Sequence, residues 1–176
     1  MPNAAALLLI AALLLTAVAT AHARPAASSR VRAADAGAGA LVSAALTRSD
    51  TVKRLVAEIE ASDLIVYVAE ADDLRSDLHG ALRFMGTGAS PDRYLRIDVR
   101  PGDPASPTSL AVAIATLAHE LMHALEVAAA QHVVDEASFT RFFRGVAHEL
   151  RDAVVDTPAA REIGQRVHFE LTGRKH

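Results

Sequence analysis

A chain of 176 residues accommodates one domain, or one domain with an address segment, and leaves no room for two full domains. Hydrophobic residues make up 51%, but much of that share is Ala, so the Leu, Val, Ile and Phe present suffice for a single core. A formal net charge of −3 with both signs interspersed provides no basic footprint for nucleic acid and no polybasic patch for a membrane surface.

Residues 1–23 read as a signal peptide. Ala4 to Ala19 is a nearly unbroken apolar run, and Ala21-His22-Ala23 fits a small-x-small cleavage site. Cleavage after Ala23 would deliver the mature chain to the periplasm or the extracellular space. The segment before the apolar run lacks Lys and Arg, so an uncleaved anchor is the alternative. With no Cys, an exported domain must be held by its core or by a metal rather than by disulfides. Residues 24–39 are Ala, Ser, Gly and Arg without large apolar side chains, which predicts a flexible leader and a domain over 40–176.

From Leu41 to Ile59 apolar residues recur at helical spacing, with a break at Ser49-Asp50, giving one helix or two short ones. Asp63 to Ala69 is short and dense in β-branched and aromatic residues, the pattern of a buried strand. Ala81 to Met85 and Tyr94 to Val99 form two further strands, joined as a hairpin through Gly86-Thr87-Gly88-Ala89-Ser90-Pro91-Asp92. In the second of them Leu95, Ile97 and Val99 alternate with Arg96, Asp98 and Arg100, which predicts one solvated face.

After Pro101-Gly102-Asp103-Pro104, Ser106 or Thr108 caps a helix from about Leu110 to Ala130 that is apolar almost all round. Such a helix is central in a core or inside a membrane. His119, Glu120, His123 and Glu126 in its second half argue for the core, so no membrane span is expected in the mature chain. Two more helices follow, Asp135 to Asp152 and Pro158 to Leu171, the second opening with Asp156-Thr157 as a cap and proline in its first turn.

The chemistry lies in the apolar helix, at His119-Glu120-Leu121-Met122-His123. Two imidazoles four residues apart project from one helix face and can share one metal ion. Glu120 lies about 100° round the helix, placed to take a proton from a water that the metal has acidified. Leu117, Ala118, Leu121, Met122, Ala124 and Leu125 surround these residues with apolar neighbours, and a buried His, Glu, His cluster needs a partner. Glu126 shares the face of the two histidines, but three ligands from one straight helix strain a tetrahedral site, so it fits better as an acceptor for an imidazole N–H.

The stretch Leu117 to Ala124 resembles the active-site helix of zincin-type zinc metallopeptidases, and the order of helix, short strands, active helix and backing helices is similar to their minimal core. The branch with His-x-x-Gly-x-x-His after the motif's Glu is excluded, because Glu126 to His132 contains no Gly. The resemblance is to the gluzincin branch, whose third ligand is a Glu within Glu-x-x-Ala on a later helix. It implies an α+β fold, with a small mixed or antiparallel sheet of about three strands packed on the buried helix. It also implies Zn2+ on His119, His123 and Asp156, since Asp156-Thr157-Pro158-Ala159 matches Glu-x-x-Ala with Asp for Glu. The shorter Asp requires the two helices to approach more closely. Glu126, Glu162 and Glu149 remain alternatives for that ligand.

Other positions carry weaker signals. His148 and His168 could donate to a developing oxyanion, though each also reads as a plain helix histidine. Phe139, Phe142 and Phe143 read as core, and His79 and His132 as surface. Strand Tyr94 to Val99 could pair with an extended peptide along its edge. Two functions follow: a zinc-dependent hydrolase of peptides or proteins with Glu120 as general base, or a non-catalytic zinc-stabilised binding domain of the cell envelope.

Overall fold

The computed structural model describes residues 29–87, 91–146 and 156–173, so the expected signal segment over 1–23 lies outside the described residues. The architecture is α+β. In chain order the elements are β1 (Val31–Ala33), α1 (Ala36–Arg48), α2 (Asp50–Glu60), β2 (Leu64–Glu70), β3 (Gly80–Thr87), β4 (Arg93–Val99), α3 (Pro107–Ala129), α4 (Glu136–Val146) and α5 (Pro158–Thr172). The sheet is mixed and four-stranded in the order β1-β2-β4-β3. β1 and β4 both run parallel to β2, while β3 runs antiparallel to β4 at the edge.

The leader expected over 24–39 is shorter in the structure, because residues from Ser29 onward are built into the fold. Val31 pairs with Val66 in the parallel ladder, and Asp35 caps α1 by accepting a 2.7 Å hydrogen bond from the Ala38 amide. That adds a fourth strand to the three expected. The break at Ser49-Asp50 divides two helices: Ser49 ends α1 and caps α2, accepting from the Val52 amide at 3.1 Å. Ser49 and Thr51 also donate to the Glu170 carboxylate, which ties α2 to α5.

Side-chain alternation assigns the two sheet faces. Leu64, Val66 and Val68 of β2 and Leu95, Ile97 and Val99 of β4 enter the core against the helices. Tyr67, Arg83 and Arg96 lie on the wetter face. α3 occupies the centre, with Ile114, Leu117, Leu121 and Val127 almost inaccessible to solvent. It is long and apolar enough to cross a membrane, but packing against sheet and helices accounts for its composition. Ser106 caps it, with Pro107 in the first turn.

Its other end is held by Arg93, the first residue of β4. This buried guanidinium donates through Nη1 to the carbonyls of Val127, Ala130 and Val133, and through Nη2 to that of Ala128. It also pairs with the Asp63 carboxylate at 2.8 Å. These bonds add to those that Val127, Ala128 and Ala130 already accept from the Ala130 amide, the Gln131 side chain and the Val133 amide, and they pin the C-terminal end of α3 to the sheet.

Candidate metal centre

His119 and His123 project from one side of α3, with their Nε2 atoms 3.1 Å apart. Asp156 approaches from the residues leading into α5, its Oδ1 3.8 Å from His119 Nε2. One ligand atom from each of the three residues lies within 4.8 Å of the others. Oδ1 of Asp156 is buried without a hydrogen-bond partner among the described residues. Two imidazoles and a carboxylate that leave one buried acceptor unsatisfied fit a divalent cation. The donor set suits zinc and also admits other first-row ions.

The Asp in place of the expected Glu is accommodated by close packing of α5 on α3. Ala160 is fully buried, and a Cβ added to Gly164 would lie 3.5 Å from His119 Cβ. The first turn of α5 also orients the opposite imidazole. Thr157 caps α5 and donates to Glu126 Oε1 at 2.6 Å, while Glu126 Oε2 lies 2.8 Å from His123 Nδ1. A hydrogen on Nδ1 leaves the Nε2 lone pair of His123 for an ion. Both oxygens of Glu126 are thus engaged, which places it to accept from an imidazole.

Of the remaining alternatives for the third ligand, Glu162 is placed away from the cluster. Glu162 points to solvent and pairs with Arg166 at 2.6 Å. Glu149, like His148, falls outside the described residues. Arg161 emerges as a residue without a signal in the sequence pattern: its Nε lies 3.0 Å from Asp156 Oδ2.

Burial favours the neutral forms of His119 and Glu120. Burial, reinforced by the neighbouring His123, lowers the His119 pKa to about 4. Burial raises that of Glu120 to about 7, with Asp156 acting in the same direction and His123 against it. Glu120 is thus a buried carboxyl whose proton affinity lies near neutrality, a property suited to acid–base work.

These groups line a cleft of about 800 Å3. Phe139 and Phe143, expected only as core, are buried and also form part of its wall, as do His168 and the expected surface residue His79. His132 instead packs edge-on against Phe142. The strand beside the cleft is β3; β4 is a structural strand paired on both sides, and on its polar face Asp98 is buried beneath Arg83 and Arg96. The Arg100 amide donates to the His79 carbonyl at 2.8 Å, so antiparallel alternation turns the backbone groups of Gly80 and Leu82 toward the open edge. A Cβ on Gly80 would come within 2.9 Å of Glu120 Oε1 and 2.6 Å of Thr116 Cγ2, so only glycine lets β3 pass this close to the carboxylate.

The chain matches no protein-family model, no curated protein and no solved structure.

Proposed function

We propose that this protein is a zinc-dependent hydrolase, and specifically an exported metallopeptidase. The observation that carries the reading is the convergence of His119, His123 and the partnerless Asp156 Oδ1 beside the buried Glu120 in one cleft. His119, His123 and Asp156 would hold the ion. When bound, zinc supplies Lewis acidity, polarising a carbonyl oxygen and acidifying water. Glu120 accepts the proton released at its carboxylate and holds it for transfer to the leaving amine. The open edge of β3 supports a peptide as substrate, since an extended chain could pair with the Gly80 and Leu82 backbone across the cleft. The apolar wall at Phe139 and Phe143 would take a side chain of that peptide.

A non-catalytic structural zinc site would require a fourth protein ligand. Among the described residues the cluster has three such groups, and Glu126, the further carboxylate on α3, is engaged by His123 and Thr157. The catalytic reading is therefore the better supported. Its test is Glu120→Gln: the variant should retain one zinc per chain and lose hydrolysis of a generic protein substrate. Zinc-loaded wild type without hydrolysis, or undiminished hydrolysis by the variant, would refute it.

A further inference from the structure

Arg161 reaches back over the start of α5 to Asp156. Its Nε lies 3.0 Å and its Nη2 2.9 Å from the same oxygen, Oδ2. A charge-assisted hydrogen bond from Nε and the ion-pair contact of Nη2 both fall on that oxygen. The other oxygen, Oδ1, is the buried one directed at His119 Nε2. A carboxylate with both oxygens free can chelate a cation through both. A chelating Asp156 would add a fifth donor to the two imidazoles, the carboxylate and a water that make up a four-coordinate hydrolytic site.

We propose that Arg161 holds Asp156 as a one-oxygen ligand and so keeps a bound ion at four donors, one of them a water on the cleft side, instead of five. Arg161 is a positioning residue, and the inference rests on the reading of this cluster as a metal centre. An ordinary surface ion pair would leave the metal site unchanged when removed. Here both donor nitrogens converge on one oxygen while its twin stays buried and aimed at the imidazole. A lysine offers a point charge without this fork and should hold the carboxylate less completely.

Cobalt(II) reports the coordination number directly, because four-coordinate cobalt absorbs visible light several-fold more strongly than five-coordinate cobalt. The full chain, as wild type, Arg161→Gln and Arg161→Lys, is titrated with Co2+, with far-ultraviolet circular dichroism recorded as a check of the fold. The wild type should give an intense visible band at one ion per chain. Arg161→Gln should give a band several-fold weaker, and Arg161→Lys an intermediate one. A folded Arg161→Gln with the wild-type band overturns the proposal. Should that variant fail to fold, an undiminished band in Arg161→Lys overturns it equally. Wild type that takes up no cobalt instead sinks the metal-centre reading, a different result from a cobalt centre indifferent to residue 161.

Discussion

Thr157 donates a 2.6 Å hydrogen bond to Glu126, and through it the helix that follows Asp156 is tied to the imidazole of His123. The same hydroxyl oxygen accepts from the Ala160 amide at 3.2 Å as the cap of α5. Thr157→Val removes both interactions while keeping the shape of the side chain. Loss of the cap costs about 0.5–2 kcal/mol, which urea unfolding of the metal-free protein should register. The carboxylate then loses the donor that fixes its orientation toward His123, so zinc affinity measured by chelator competition should fall by about 10–100-fold. Thr157→Ser should restore most of both. Unchanged affinity in the valine variant would detach Glu126 from the site.

The opposed shifts of His119 and Glu120 make a prediction about pH. His119 has a folded pKa lowered to about 4, so its contribution to stability is present above the unfolded value of 6.5 and is lost as pH falls through about 4. Glu120 has a folded pKa raised to about 7, so its contribution is present below the unfolded value of 4.5 and is lost as pH rises through about 7. Between 4.5 and 6.5 the two slopes have opposite sign and offset each other. Glu120→Gln removes the falling one. The stability of the metal-free variant relative to metal-free wild type should therefore grow as pH rises from 4.5 to 7, as measured by chemical denaturation across that range. A difference independent of pH would mean that Glu120 is not held protonated by its surroundings.

The motif at His119, Glu120 and His123 was legible because helical spacing alone places the two imidazoles together, and the apolar residues between them announce burial. Asp156 was legible only through the family pattern, and the structure brings it to the imidazoles. Thr157 was legible as a cap of α5, but its bond to Glu126 was not, since that depends on how α5 docks, and the pairing of Arg161 with Asp156 matched no pattern in the sequence. β1 escaped for another reason: Val31-Arg32-Ala33 has little apolar content, and its strand character comes from backbone pairing with Val66, Tyr67 and Val68, distant in sequence. The Asp35 cap was the one local signal for the start of α1, obscured by Gly37 and Gly39, which lower helix propensity. The alternation in β4 separates the core face from a polar one but says nothing about which strands flank it, and the flanking β3 contributes the Arg83 that helps bury Asp98.

Gly80 sets the distance between the edge strand and Glu120. In Gly80→Ala the added methyl would approach the carboxylate to 2.9 Å and Thr116 Cγ2 to 2.6 Å, so Glu120 or the strand must shift. A misplacement of about 1 Å at a reacting group costs about a hundredfold in rate. The expected outcome is a fall in kcat of that order with zinc content unchanged, because neither His119, His123 nor Asp156 is displaced directly. Overpacking should also lower stability by about 1–3 kcal/mol. Full activity in the alanine variant would show that the carboxylate has room to retreat without loss of function.

Arg93 tests whether the placement of α3 on the sheet governs the site at a distance. Arg93→Ala strips partners from the carbonyls of Val127, Ala128, Ala130 and Val133 and from the Asp63 carboxylate. Breaking a buried ion pair from one side costs about 3–5 kcal/mol, a large fraction of the stability of a domain this size. Arg93→Lys keeps the charge but reaches fewer carbonyls and should lose less. Asp63 is partly exposed, and its carboxyl pKa is lowered chiefly by the Arg93 hydrogen bond. That carboxylate's share of stability is present above pH 3.8 and is lost as the pH falls below the ordinary carboxylate range. Asp63→Asn should accordingly destabilise less than Arg93→Ala, because the carbonyls keep their donor. If instead the two variants unfold at the same denaturant concentration, the ion pair rather than the helix cap is the dominant interaction of Arg93.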